Sequence, residues 1–295
     1  IFYIMPSDKK ITFTALMPTL GRTKELQECL NSIIDCKRPE FLIRVLLVDQ
    51  NETGFLDKFI PEDYCINHIH SVIKGLSRNR NIAMRYLTTS DDYVLFLDDD
   101  NILDKDFFHF LHEEITRKAQ RFYVVSALQI EDGRNYTYPL RNDKSLFGWK
   151  SWKSVISWNI VMSYDLTQEV GLFDERFGVG EFWGACEESD YTLRALRKCG
   201  KFYYLPLAKV FHKSRSKNYD NLKRSRSYAR GFGAFLRKQQ TLDVEHTIYW
   251  KYQFYKLLAL NLIALILYFF TSRRSHYLSA LVGKTEGYFG YESSI

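Results

Sequence analysis

Residues 93–100 read Tyr93-Val94-Leu95-Phe96-Leu97-Asp98-Asp99-Asp100. An uninterrupted apolar run of this length suits a strand buried on both faces, as in a parallel sheet. The three carboxylates that follow cannot enter a core unpaired, so the strand must end at a surface or at a site. Clustered carboxylates raise one another's pKa unless a cation sits between them. A hard cation such as Mg2+ or Mn2+ takes oxygen ligands from one or two carboxylates together with substrate phosphates. Asp98 and Asp100 are therefore the first candidate metal ligands. A solvated acidic turn capping the next helix is the plainer alternative.

Working outward, Ile11 to Met17 is a second apolar-rich run, closed by Pro18. Leu26, Cys29, Leu30, Ile33 and Ile34 then recur at helical spacing. Phe41 to Val48 is an apolar run broken only by Arg44, suits another doubly buried strand and ends at Asp49, while Gly75 to Asn81 reads as a loop entering a helix that carries Ile82, Ala83, Tyr86 and Leu87. A helix around Phe107 to Lys118 and a strand near Phe122 to Ile130 follow. Alternating strands and helices predict an α/β, doubly wound sheet. Such sheets collect ligands at the carboxyl ends of their strands, where Pro18, Asp49 and Asp98 fall. Beyond Glu131 the regularity drops: Asp132-Gly133 marks a turn, and Gly148 to Trp158 is rich in Trp and Ser. A helix is expected from Glu188 to Lys198, stopped by Gly200, and an extended segment from Lys201 to His212.

Several side chains could join the acidic triplet. Asp49 is placed to accept hydrogen bonds from a base or ribose. The backbone amides of Gly75 to Asn81, with Arg78 or Arg80, could bind phosphate, against ordinary capping with solvated arginines. Glu187-Glu188-Ser189-Asp190 opens a helix, where carboxylates are favoured by the dipole alone. It could also supply a proton acceptor for a hydroxyl. His212 ends an extended segment and would complement Asp98 and Asp100 as a third ligand, although a lone His is more often structural.

The chain has 295 residues, room for one large domain or one domain with a small appendage. Its net charge of +6 favours anionic partners. Much of the excess lies between Lys209 and Lys238, including Lys213, Arg215, Lys217, Arg226 and Arg230. Five cysteines, an odd number without zinc-knuckle spacing, argue against a disulfide framework and for a reducing compartment. No secretory signal is visible at the start, and Ile1 in place of Met suggests a trimmed product or fragment. Leu257 to Phe270 is apolar apart from Asn261 and is flanked by Lys251, Lys256, Arg273 and Arg274. It is shorter than the roughly 20 residues a spanning helix needs, so a helix lying in the membrane interface is expected. The alternative is a buried helix of the core or of a dimer contact.

Taken together these residues resemble glycosyltransferase family 2, enzymes with the GT-A fold. The resemblance runs from about Ile11 to Ser214. Met17-Pro18-Thr19 with Arg22 resembles the opening strand and loop, and Val48-Asp49-Gln50-Asn51 the uridine-binding strand end. Gly75 to Asn81 resembles the loop before the metal strand, and Leu97 to Asp100 the family's DxD signature. Gly171-Leu172-Phe173-Asp174-Glu175 is similar to its GxFDE segment, and Glu187-Glu188-Ser189-Asp190 with Leu193-Arg194 to its EDxDLxxR segment.

The resemblance implies a GT-A type, Rossmann-like mixed sheet flanked by helices; the apolar stretch with its basic flanks adds a C-terminal helical, membrane-associating extension. Residues 1–130 would bind the nucleotide sugar, 131–240 would bind the acceptor and carry catalysis, and 241–295 would form the extension. Pro18, Thr19, Arg22, Asp49, Asn51, Gly75, Arg78, Asn79 and Asp99 would hold the donor. Asp98, Asp100 and His212 would hold Mn2+ or Mg2+. The family's base falls on Glu188, where this sequence has Glu instead of the usual Asp, and Asp190 is the runner-up. Trp183 and Glu187 would face the acceptor. The implied activity is inverting transfer from a nucleotide-diphosphate sugar, UDP by family default, to a glycan or lipid-linked glycan in cell-surface polysaccharide synthesis. Such an enzyme would be cytoplasmic and peripheral on the inner face of the membrane, without a nucleic-acid partner. Two rivals remain. A sugar nucleotidyltransferase also pairs strand-end carboxylates with a metal, and a nucleic-acid-binding protein could use the basic patch with Tyr219, Tyr228 and Phe232.

Overall fold

Nine strands join in one mixed sheet in the computed structural model, which describes residues 10–135, 146–213, 221–271 and 273–292. The first half is parallel: β1 (Ile11–Thr19) lies between β2 (Phe41–Asp49) and β4 (Tyr93–Phe96), and β3 (Ile66–His70) is the edge beside β2. The chain steps outward from β1 to β3 and then returns to the other side of β1. That reversal makes the ends of β1 and β4 the switch point at which such sheets bind ligands.

The sheet continues through β8 (Ile160–Ser163), β6 (Phe122–Gln129), β9 (Lys201–His212) and β5 (Ile102–Leu103). Here β4 and β8 pair antiparallel, as do β8 and β6, whereas β6 and β9 run parallel. The short β7 (Leu146–Gly148) adds to β9. Helices α1 (Lys24–Ile34) and α3 (Phe107–Lys118) turn Leu26, Leu30 and Ile33, and Phe107, Phe108 and Leu111, into the core beside Phe13, Val45, Leu95 and Val125. The short α4 (Tyr164–Val170) follows β8. The expected mixed α/β sheet flanked by helices is thus the one found. All five cysteines are unbridged.

The sheet and residues 78–172 and 191–214 form one compact unit with residues 1–74. A second unit combines residues 75–77, 173–190 and 215–295. Helices α2 (Leu76–Met84) and α5 (Glu187–Cys199) each have their first residues in the second unit and the rest in the first. Within the second unit, α6 (Leu222–Leu242), α7 (Thr247–Leu267) and α8 (Arg273–Gly290) follow one another. The α6 and α8 backbones meet closely: a Cβ on Gly287 would lie 1.9 Å from the Arg230 carbonyl oxygen. Phe254 stacks on Tyr288 with ring centres 3.6 Å apart, and Phe235 meets Trp250 edge-on.

The apolar run falls mostly in α7, and none of residues 257–270 is buried. Phe270 is 98% exposed. No helix among the described residues is long and apolar enough to cross a membrane.

Candidate active site

The acidic triplet leaves β4 in a tight turn. The Leu97 amide still bonds to Leu16, but the Asp98 amide donates to the Asn101 side chain at 2.8 Å, and the Asn101 amide returns to the Asp98 carbonyl. This fold-back sends the three carboxylates different ways. Asp99 is buried and accepts from the Thr19 hydroxyl at 2.7 Å and from Arg22. Arg22 also meets Asp100 at 2.9 Å. Asp98 takes the fully buried Arg80 guanidinium at 3.0 Å. Residues 76–84 form α2, not the expected loop, and Tyr86 and Leu87 lie beyond its end; of its two arginines Arg80 reaches the triplet, while Arg78 is exposed.

The end of β9 brings in His212. Its Nε2 lies 3.1 Å from an Asp100 carboxylate oxygen, and its Nδ1 donates to the Lys213 carbonyl at 2.6 Å. Trp158 stacks nearly parallel on the imidazole, at 13°. A ring fixed on one nitrogen by a carbonyl and on one face by an indole presents its other nitrogen in a set direction, as metal-ligating histidines do. Ligand atoms of Asp98, Asp100 and His212 all lie within 4.8 Å of one another. Two carboxylates and an imidazole at that spacing fit Mn2+ or Mg2+.

The local electrostatics follow from burial and charge. Burial pushes the Asp99 carboxyl up, and Arg22 and Thr19 only partly offset it, so it sits above its ordinary value. Burial also works against Asp100, but His212 and Arg22 outweigh it and hold this carboxyl low. For His212 burial alone would lower the imidazole; Asp100 and the Lys213 carbonyl reverse the sign.

At the end of β2, Asp49 is buried with both oxygens engaged. One accepts from the Asn51 amide and side chain at 2.8 and 2.7 Å, and the other meets His68 at 3.0 Å. Asn51 in turn accepts from the Gly21 amide at 2.7 Å, tying the loops after β1 and β2 together. Pro18 and Thr19 pair with Val48 and Asp49 in the β1–β2 register, and Asn79 donates to the Ile73 carbonyl at 2.8 Å. His68 and Asn101 escaped sequence reading. His68 lies in an edge strand without an apolar run, and Asn101 looks like any polar residue after the triplet.

The second unit holds the other acidic cluster. Cys186, just before α5, has φ 73°, a left-handed value uncommon outside glycine. Glu187 and Asp190 are buried and Glu188 is half-buried. An Asp190 oxygen accepts from Lys238 at 2.8 Å and from the Gln239 side chain at 3.1 Å. Lys238 also meets Asp174 at 2.8 Å. Trp183 is buried against Phe182 and Tyr291. A cavity of about 280 Å³ is lined by Phe182, Trp183, Arg226, Arg230, Glu286 and Gly290. Part of the basic patch is engaged within this unit: Arg226 pairs with Glu286, Arg224 bonds the Tyr228 hydroxyl, and Arg230 lies over the Phe182 ring. Arg215, Lys217 and Tyr219 of that patch lie outside the described residues.

Sequence comparison matches residues 14–194 to the family described as Glycosyl transferase family 2. Curated proteins give no match. Among solved structures the chain is similar to S. aureus TarS, with a TM-score of 0.59 and 16% identity over 74% of this chain and 39% of that one. It thus spans about two fifths of that protein's length. It is also similar to TarS 1-349 in complex with UDP-GlcNAc, with a TM-score of 0.57 and 16% identity over 96% of this chain and 93% of that one. The UDP complex of TarS 1-349 gives 0.57 and 14% over the same shares. At these identities the likeness is one of fold.

Proposed function

Because the chain belongs to glycosyl transferase family 2, we propose that this glycosyltransferase moves a sugar from a UDP-sugar to a hydroxyl of a glycan or lipid-linked glycan, with inversion. The observation that carries this reading is the meeting of Asp98, Asp100 and His212 where β4 and β9 end in one sheet. Solved complexes of a protein of like fold hold UDP-GlcNAc and UDP, which supports a uridine nucleotide as donor.

In the proposed displacement the bond from the anomeric carbon to the diphosphate oxygen breaks, and UDP departs with the electron pair. The acceptor oxygen forms the new bond from the opposite face and gives its proton to a carboxylate of the α5 start, Glu188 first and Asp190 second. Asp98, Asp100 and His212 would hold Mn2+ or Mg2+, which when bound offsets charge on the departing diphosphate as a Lewis acid. Arg80 and Arg22 keep the acidic triplet oriented, with Asp99 as the internal anchor of Arg22. Asp49, Asn51, Pro18, Thr19, Gly75, Arg78 and Asn79 are assigned to the donor, with Asp49 acting through the Asn51 it holds, whereas Arg22 and Asp99, expected at the donor too, are reassigned to holding the triplet. Trp183 and Glu187 are assigned to the acceptor. Family membership goes against the sugar-nucleotidyltransferase alternative.

The C-terminal part is assigned to the inner face of a membrane. Support comes from an apolar run none of whose residues is buried, with exposed Arg273 and Arg274 beside it. Apolar surface with adjacent cations suits an anionic lipid interface.

The test is a panel of nucleotide sugars scored by melting shift with and without Mn2+, followed by UDP release and NMR of the product's anomeric configuration. A Mn2+-dependent shift with a UDP-sugar and an inverted product are expected. No shift with any nucleotide sugar would overturn the donor assignment, and a retained configuration would overturn the mechanism.

A further inference from the structure

The matched family segment ends at residue 194, yet the acids at the start of α5 are gripped by a helix beyond it. Lys238 of α6 is buried and bridges Asp174 and Asp190, and Gln239 adds a second donor to the same Asp190 oxygen. Arg176 completes the chain from the other side, with its guanidinium 2.7 Å from Asp174. Two cations thus meet two carboxylates. Buried charges persist only when so paired. Burial raises the Asp174 carboxyl, but Arg176 and Lys238 more than reverse this and hold it well below its ordinary range.

The grip reaches the backbone. The Asp190 amide donates to the Cys186 carbonyl at 3.0 Å, closing the first turn of α5 around the left-handed Cys186. A non-glycine residue in that region persists only when its surroundings over-determine it. α6 supplies further support: a Cβ on Gly231 would lie 2.6 Å from the Ala185 amide nitrogen, so the two backbones touch there. Glu188 lies in this held turn and is half-buried, whereas Asp190 is fully buried inside the network.

We propose that Lys238, through its bridge from Asp174 to Asp190, is a positioning residue that sets the turn carrying Glu188, the base assigned above. The inference rests on the transferase reading above. A base must come within hydrogen-bond reach of the hydroxyl it deprotonates. Asp190, enclosed and spent on Lys238 and Gln239, serves instead as the anchor through which Lys238 acts.

The experiment compares E188Q, D190N, K238M, K238R and K238M/D190N with the unmodified chain. Three quantities are read: kcat and KM for UDP release from UDP-GlcNAc with Mn2+ and water as acceptor, and hydrogen–deuterium exchange across 184–191. E188Q is expected to lose about 10³-fold in kcat, with KM and exchange unchanged. K238M and D190N are expected to lose about 10- to 100-fold in kcat, with faster exchange in that segment, as for a displaced group. K238R restores most of the rate, and the double variant is no worse than about the weaker single one. A D190N loss of about 10³-fold with unmodified exchange, or wild-type kcat in K238M or E188Q, would overturn the proposal. Should K238M fail to fold, the near-isosteric D190N set against E188Q decides alone. Should the unmodified chain release no UDP, the fault lies with the donor reading, and the exchange of 184–191 still tests the clamp: unchanged exchange in D190N or K238M removes it.

Discussion

Replacing Asp100 by Asn separates the metal reading from a merely acidic turn. The change keeps the side chain's shape, so the Arg22 contact at 2.9 Å retains an oxygen acceptor, but the cluster's carboxylates fall from two to one. What remains for a cation is Asp98, already shared with Arg80, and the His212 imidazole. Electrostatic stabilisation of a leaving group by a metal is worth several kcal/mol. Forfeiting about 3–4 kcal/mol of it slows transfer by about 10²- to 10³-fold. If Mn2+ affinity falls about 100-fold, the stabilisation conferred by saturating Mn2+ drops by about 2.7 kcal/mol. The assay is the Mn2+-dependent melting shift alongside UDP release from UDP-GlcNAc. Asp99→Asn is the internal control: its carboxyl faces Thr19 and Arg22, so Mn2+ affinity is expected to stay within about 10-fold of the original. If D100N keeps the full Mn2+ shift and rate, or if D99N loses as much Mn2+ affinity as D100N, the assignment of Asp98, Asp100 and His212 is wrong.

Three further outcomes are expected. Asp174 has a folded-state pKa below that of the unfolded chain, so its contribution is complete above about pH 4 and is lost as pH falls through the folded value. D174N therefore costs about 2 kcal/mol at pH 7 and flattens the acid limb of urea-denaturation stability; an unchanged acid limb refutes this. G287A pushes a Cβ to 1.9 Å from the Arg230 carbonyl oxygen, and backbone on both sides cannot yield cheaply. Overpacking of about 1–3 kcal/mol outweighs the helix-propensity gain of about 1, so Tm falls by a few degrees, and a raised Tm would contradict the packing. Finally, the chain is expected to sediment with phosphatidylglycerol vesicles at low salt, and I266E/F270E to weaken that at least about 10-fold. A chain that stays in the supernatant refutes the membrane assignment.

Much of the sheet was legible because burial on both faces forces continuous apolar sequence. Tyr93 to Leu97 announces β4 in this way, Phe41 to Val48 announces β2 although Leu42 is exposed and Arg44 half-buried, and the extended pattern of Lys201 to His212 announces β9. The edge strand β3 was not visible, because Ile66–His70 faces a neighbour on one side only and three of its five residues are polar. Four-residue β8 follows two short 3-10 turns and carries too few residues to display a period. The helical reading of Leu257 to Phe270 agrees with α7, although the helix begins ten residues earlier, at Thr247.

For the candidate site, local sequence determined which chemistry was available: three carboxylates beyond a buried strand, an acidic helix start, and a histidine after an extended run. It could not say which carboxylate turns where. The Asn101 fold-back sends Asp99 to Thr19 and Arg22 and leaves Asp100 for His212, and strand pairing places β9 in the same sheet as β4. Nor could a run of basic residues disclose that Lys238 is buried between two acids. Hydrophobic periodicity encodes what each segment buries, but contacts between distant segments exist only once the chain has closed on itself.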